Sequence, residues 1–517
     1  MRVAVRSCHN GSMSSSWRVA ACMLGPLLAC ACSDSPPEPG PSADSGVPDA
    51  APIADSAADA TSPADASTDS RAGDTVSPPT DASSDVRAGD AALPPPDALT
   101  DARRADSMSP PGDAASADAR LADGASPDTG GTVDGTTGND GATGDVYIPW
   151  EGGPAYWAKW PHSLPSDPNF FPVAVFWQSA VNADNFAAIG INTYIGAFDD
   201  AALTELDQKS MYVVTDQGGV TWRNWLANAK LAGWAQGDEP DNAQPKAGGG
   251  YGPCIDPVQI QSIYTTYRTN DPSRPVFLNL GRGVAATNWV GRGSCSGRTE
   301  MYPEYAKGTD VLSFDIYPVN STDEAKNNLY YVADGVERLR QSVSSQKATY
   351  AYIETTDISS AGTIPSPAQI KAEVWMSLVH GGRIVAYFSH IFAADGAYLH
   401  DDGLLRTASS KTAVQAIDAQ VASLAPVLNT QSLANGAAVA SSAAATPIDI
   451  MVKRHQGALY IFAVAARSGA TQGTFTLRGV GAAAAEVIGE SRSITVANGT
   501  FSDDFAADYA VHLYRVE

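Results

Sequence analysis

From Tyr147 to about residue 390, short apolar runs alternate with helix-like stretches, and this alternation constrains the fold more than any other feature of the chain. The runs lie at 172–177, 190–195, 211–216, 231–236, 276–280, 311–317, 348–353 and 383–388. Each is apolar nearly throughout, as expected of parallel strands covered on both faces. Helix-like stretches fall between them at 180–188 and 256–270, and another opens with Ser366 as N-cap and Pro367 at the first helical position. Eight such strands in roughly 250 residues predict an α/β domain, a (β/α)8 TIM barrel, over 147–428. A doubly wound open sheet is the competitor, but no Gly-x-Gly-x-x-Gly turn follows the first run.

After a helical stretch at 413–424 the pattern changes. Runs at 448–452, 458–464, 473–477 and 509–514 are short, and several alternate as half-buried antiparallel strands do. They predict a small C-terminal all-β sandwich over 429–517.

The first 146 residues have another character. Arg18 precedes an apolar stretch from Val19 to Ala29, too short to span a membrane and typical of an export leader. Leu27-Leu28-Ala29-Cys30 resembles the bacterial lipoprotein cleavage box, which implies a leader at 1–30, lipidation of Cys30 and anchoring at the outer membrane or cell surface. Residues 31–146 hold 22 acidic and five basic side chains with almost no aromatics. Such a segment cannot bury enough apolar surface to offset chain entropy, and reads as a long disordered, self-repelling tail. Its degenerate sixteen-residue repeat, with Arg71-Ala-Gly-Asp74 recurring as Arg87-Ala-Gly-Asp90, has no apolar residues to stack as a solenoid. Of the chain's net charge of −24, the tail holds −17 and the part from Tyr147 onward −10, so no nucleic-acid partner is expected. Cys254 and Cys295 are the two cysteines of the folded part, and in an exported protein they are expected to form a disulfide between two loops.

Two acids follow apolar runs directly. Glu239 closes Gly233-Trp-Ala-Gln-Gly-Asp-Glu239, and Glu354 closes Tyr350-Ala-Tyr-Ile-Glu354. In a (β/α)8 barrel catalytic groups lie at the C-terminal ends of strands, so both would face one mouth. Paired carboxylates in a barrel mouth are what a retaining glycosidase needs, one to protonate the leaving oxygen and one to attack the anomeric carbon. Glu239 is the expected proton donor, its pKa raised by apolar surroundings and a second carboxylate. Glu354 is the expected nucleophile, ionised and held by hydrogen bonds.

Asp238-Glu239-Pro240, Glu354 and Ser313-Phe-Asp-Ile-Tyr-Pro318 resemble clan A of the glycoside hydrolases, retaining barrels with paired glutamates. The stretch Ala372-Glu-Val-Trp-Met-Ser-Leu-Val-His-Gly-Gly382 with Tyr387-Phe-Ser-His390 is similar to galactosidase-like and uncharacterised members. The resemblance implies that Tyr317 hydrogen-bonds the nucleophile. It also implies an Asn before the acid, where this chain has Asp238, a side chain that accepts rather than donates toward a sugar hydroxyl.

Further substrate contacts are expected from Trp177, Gln178, Asp216, Asn279 and His390 at strand ends, with Arg282 beside the fifth run. Trp157, Trp160, Trp177 and Trp289 suit stacking on sugar rings, while Asp315 reads as structural. Neither a Gly-x-Ser-x-Gly elbow nor a His-Glu-x-x-His pair is present, and no metal or cofactor is expected. The leading expectation is a surface-anchored retaining glycoside hydrolase acting on an oligo- or polysaccharide. The alternatives are a non-catalytic carbohydrate-binding or adhesive lipoprotein on an inactive barrel, and a transglycosylase using the same residues.

Overall fold

The computed structural model describes residues 144–148, 153–246 and 249–517. Cys30, the leader and the tail up to residue 143 lie outside the described residues.

Eight strands close into a parallel barrel in sequence order: β1 (Val173–Phe176), β2 (Thr193–Gly196), β3 (Tyr212–Thr215), β4 (Leu231–Ala235), β5 (Val276–Leu280), β6 (Val311–Asp315), β7 (Ala348–Glu354) and β8 (Val385–Phe388). Pairing of Ala174 with Ala386 joins β1 to β8 and completes the ring. The period-two geometry of a strand sorts side chains to opposite faces. Ala174, Val214, Phe277, Tyr350, Tyr352 and Ala386 pack together inside the barrel. Val173, Val213, Leu278, Phe314, Ile353 and Tyr387 face the surrounding layer. Both faces are apolar, which is why the runs show no alternation.

The outer layer contains α1 (Ala183–Ala187), α2 (Asp200–Gln208), α3 (Pro257–Asn270), α4 (Met301–Ala306), α5 (Tyr330–Ser342), α6 (Pro367–Val379) and α7 (Ala408–Ser423). Local chemistry starts several of them. The Asp199 and Asp256 side chains accept N–H bonds at the starts of α2 and α3, and Ser366 and Gln369 form a reciprocal capping box on α6. The connection from β3 to β4 differs from the expected helix. It is a 3₁₀ turn, Trp222–Trp225, whose carbonyls at Trp225 and Leu226 accept from the buried Arg274 guanidinium at 3.0 and 3.1 Å. The indole of Trp225 donates to Asp200 at 2.7 Å. These bonds take up backbone groups that a helix would satisfy internally.

A short hairpin, β9 (Ile391–Phe392) and β10 (Tyr398–His400), follows β8. Beyond α7 come β11 (Ala437–Ser441), β12 (Ile448–His455), β13 (Ala458–Ala465), β14 (Thr471–Leu477), β15 (Ala483–Val487), β16 (Arg492–Val496), β17 (Thr500–Phe505) and β18 (Val511–Val516). They form two antiparallel sheets, ordered β11-β14-β17 and β12-β13-β18-β15-β16. Phe475 and Phe501 stack 4.7 Å apart in their shared core, against Ile461 and Tyr514. Helix α6 is buried from Ala372 to Leu378, and its Trp375 stacks on Phe462 of β13 at 5.3 Å. A helix apolar all round needs cover on every side, and the sandwich supplies one of them.

Candidate active site

Strand β4 runs out at Ala235, and the chain turns sharply before the next loop. Glu239 takes a left-handed backbone (φ 44°), as does Trp177 (φ 50°) just past β1. Such a conformation costs a non-glycine residue about 1–3 kcal/mol and persists only where neighbours impose it. At Glu239 they do. Its N–H donates to Asn279 O at 3.1 Å, and its carbonyl accepts from Asn242 N and from Gln244 Nε2 at 3.1 and 3.2 Å. The side chain is 2% exposed, and Asn242 Nδ2 donates to Oε2 at 2.7 Å.

Acids surround it. Asn279 Nδ2 donates to Asp238 Oδ1 at 2.9 Å and to Asp315 Oδ1 at 3.2 Å, bridging the ends of β4 and β6. Ser313 Oγ donates to Asn279 Oδ1 at 2.8 Å, which turns the amide so that its N–H groups face the two acids. Burial, then the charges of Asp315 and Asp238, push the Glu239 carboxyl well above the usual range, and it shares a hydrogen bond with Asp315. Burial raises Asp315 to about 6, held down by hydrogen bonds from Glu239, Asn279 and Tyr317. Burial and the Asp315 charge raise the half-buried Asp238 to about 7. Of the three acids Glu239 therefore holds its proton most firmly.

Glu354, at the end of β7, has opposite surroundings. It is fully buried, and the backbone N–H of Val319 donates to Oε1 at 2.6 Å. Oε2 accepts from Asn320 N at 2.9 Å and Asn320 Nδ2 at 2.6 Å. Pro318 ends the sixth apolar run, and the turn after it aims these donors at β7. Behind Glu354 lies Glu373 of α6, also fully buried. Burial raises both acids, but three N–H donors pull Glu354 back, while the Glu354 charge pushes Glu373 higher still. Glu354 is raised to about 7 and Glu373 further, so a proton shared by the pair favours Glu373.

The structure thus brings Asp238, Glu239, Asn279 and Tyr317 into one cluster with Asp315. No hydrogen bond joins Glu239 to Glu354. The second carboxyl against Glu239 is Asp315, the residue whose position alone suggested a structural role. Tyr317 hydrogen-bonds Asp315 rather than Glu354, and its ring stacks on Phe388 of β8 at 4.8 Å.

Trp177 and His390 meet on the other side of the barrel end. His390 Nε2 lies 3.1 Å from Trp177 O, and burial lowers its pKa, so the imidazole is neutral. Gln178 turns its amide back to Phe176 O at 3.0 Å. Asp216 pairs with the Tyr267 hydroxyl on α3 and does not join the cluster. Trp157 and Trp160 do not serve as mouth residues. Both pack on Tyr156, whose hydroxyl donates to Asp310 O just before β6, at the opposite rim of the barrel. Trp289 lies on the loop after β5, under the Arg282 guanidinium at 5.2 Å. Cys254 and Cys295 form a disulfide between the loops that follow β4 and β5. Among the described residues no group of three or more His, Cys, Asp or Glu is arranged to hold a metal ion, and no helix is long and apolar enough to cross a membrane.

Sequence reasoning passed over Asn242, Asn320 and Glu373. Signals existed: Asn242 stands three residues after the acid, Asn320 three after Tyr317, and Glu373 is an isolated acid in the apolar stretch of α6.

No known protein family's profile matches the chain, and no curated protein matches it. Solved structures with a related trace include a noncanonic maltogenic α-amylase, AmyB from Thermotoga neapolitana, at 10% identity and TM-score 0.42, covering 67% of this chain and 98% of that one. A GH30 endoxylanase from Clostridium papyrosolvens C71 matches at 13% identity and TM-score 0.36, covering 67% and 95%. AmyP in complex with maltose matches at 11% identity and TM-score 0.36, covering 70% and 97%. Likeness at this level leaves the chemistry to be argued from the residues.

Proposed function

We propose that this chain is a retaining glycoside hydrolase that cleaves O-glycosidic bonds of an oligo- or polysaccharide by double displacement. Glu239 donates its proton to the leaving oxygen as Glu354 attacks the anomeric carbon and forms a glycosyl-enzyme. Glu239, now ionised, then takes a proton from the water that releases the sugar. The observation that carries this reading is the contrast in surroundings: carboxyls crowd Glu239 beyond the end of β4, whereas three N–H donors hold Glu354 at the end of β7. Environments that set the pKa values of two carboxyls apart are the general mark of an acid and a nucleophile. At Glu354, Oε1 receives one N–H and Oε2 two, so Oε1 retains more capacity to attack. Asp238 is half-buried beside Glu239 and suits a sugar hydroxyl that donates to it. Trp177 and His390 suit contacts on the far side of the ring. The enzyme is proposed to work at the cell surface, tethered through a lipid on Cys30, which fatty-acid labelling of wild type against C30S would test.

The reading is tested by incubating the full chain with a mixed panel of aryl glycosides and plant, algal and bacterial glycans, and identifying released sugars by mass spectrometry. Release that is lost in E354Q supports it. Undiminished release in E354Q overturns the role of Glu354. A second reading, a carbohydrate-binding barrel without turnover, draws on the full burial of Glu354 and the three donors on its carboxylate, which a structural acid would also show. Retention of a glycan on the immobilised chain with no product under any condition would favour it.

A further inference from the structure

Asn242 holds the Glu239 carboxyl, and the residues on either side of Asn242 are tied to one short segment, the 3₁₀ turn Val290–Cys295. On one side is Asp241, which is fully buried. Arg292 Nε donates to Asp241 O at 3.1 Å and lies 3.6 Å from Asp241 Oδ2. The second carboxylate oxygen of Asp241 accepts the Gly281 N–H at 2.8 Å. On the other side is Ala243, whose N–H donates to Gly291 O at 3.0 Å. Arg292 has little freedom: it is fully buried, and a Cβ at Gly283 would stand 2.3 Å from its Cδ.

The same two segments are joined covalently. Cys254 bonds to Cys295, and the neighbouring Ile255 N–H donates to Pro240 O at 2.7 Å. A closed circuit results, from Pro240 across to Ile255, through the disulfide to Cys295, and back through Arg292 to Asp241. Glu239 immediately precedes Pro240, in the strained backbone that such a circuit must impose. A buried ion pair is an expensive way to hold a loop, since removing two charges from water offsets most of their attraction. Fixing a geometry is a better-founded use of it than stability.

We propose that Asp241, Arg292 and the Cys254–Cys295 disulfide are positioning elements for Glu239. They hold Asn242, and through it the direction of the Glu239 carboxyl and its left-handed backbone. The catalytic consequence rests on reading Glu239 as the proton donor, whereas the positioning itself does not.

The test uses the full chain labelled with ¹³C at glutamate side-chain carboxyls. The Glu239 signal is assigned by its loss in E239Q, and the Glu354 signal by its loss in E354Q. Both are followed against pH in wild type, R292M and C254S/C295S. The charged or titratable groups facing Glu239 are Asp238, Asp241, Asp315 and Tyr317, and all remain in these variants, but R292M also removes the cation paired with Asp241, which by itself acts to push Glu239 up. Release of the carboxyl toward water is expected to lower the Glu239 midpoint by at least about one pH unit in C254S/C295S, which leaves every charge in place, and by less in R292M, with the Glu354 midpoint unchanged in both. An unchanged Glu239 midpoint in C254S/C295S overturns the proposal, as does an equal movement of both acids, which would report general loosening. If R292M does not fold, C254S/C295S alone decides. On any aryl glycoside series the wild type cleaves, kcat should fall more for poor leaving groups than for good ones, with KM little changed. A wild type that cleaves no glycoside defeats the proton-donor reading, while the titration still decides the positioning.

Discussion

The end of β4 gathers acids around Glu239, and the end of β7 gathers N–H donors around Glu354. At β4, burial and then the neighbouring charges of Asp315 and Asp238 make ionisation costly, so the proton is favoured. At β7, Val319 and Asn320 supply three donors, and a proton shared with Glu373 favours Glu373. One side chain type therefore meets two opposite sets of neighbours within a single barrel. Burial raises both acids and so does not by itself tell them apart. Both acids are almost wholly buried, and the sign of the nearby dipoles and charges separates them.

The contrast breaks most completely at β7. E354A should reduce turnover of any glycoside substrate on the order of 10⁴-fold, measured as released sugar, because no other group can form the glycosyl-enzyme. E239Q should cost about 100–10,000-fold on substrates with poor leaving groups and far less on dinitrophenyl glycosides, which need little protonation. Its rate profile should also lose the fall at high pH that deprotonation of Glu239 gives the wild type. N320A removes one donor from the charged form of Glu354, so the Glu354 pKa rises. The low-pH limb of kcat/KM should then move upward by about one pH unit, and a limb that stays put would show that Asn320 does not tune the acid.

The smallest effect lies away from the mouth. Asp418 on α7 is buried, accepts the Tyr387 hydroxyl at 2.7 Å, and is pushed well above the usual carboxylate range by burial. Its folded pKa exceeds the unfolded value of about 3.9, so its contribution is intact below that pH and is lost as pH rises, by about 1.4 kcal/mol per unit at most. D418N still accepts from Tyr387 but cannot ionise. Its melting temperature should match that of wild type near pH 4 and exceed it increasingly toward pH 8.

The barrel was legible because its strands are apolar on both faces, and each run identified in the sequence overlaps a strand. The sandwich was half legible. Strands β11 and β15 are rich in alanine, which has little strand preference. Strand β17 lies in none of the four runs and carries Asp503 and Asp504, which disfavour strands, yet Arg492 bonds both oxygens of Asp503 at 2.8 Å and Tyr514 adds a third bond at 2.9 Å. At the site, strand-end position singled out Glu239 and Glu354. The partners of each depend on which loops barrel closure brings together, and that is long-range information. Asp315 and Tyr317 show this: spacing along β6 places both at the strand end, but the Asn279 bridge from β5 draws Asp315 toward Glu239. Trp157 and Trp160 misled for a related reason, since composition cannot say at which rim a ring will sit.

The most direct measurement is covalent trapping. The full chain would be incubated with 2-deoxy-2-fluoro dinitrophenyl glycosides of the sugars it releases, digested, and sequenced by mass spectrometry. A fluoroglycosyl adduct on Glu354, absent from E354Q, is the expected result. Continued sugar release with the adduct on Asp315 or Asp238, or with no adduct on any residue, would contradict double displacement through Glu354.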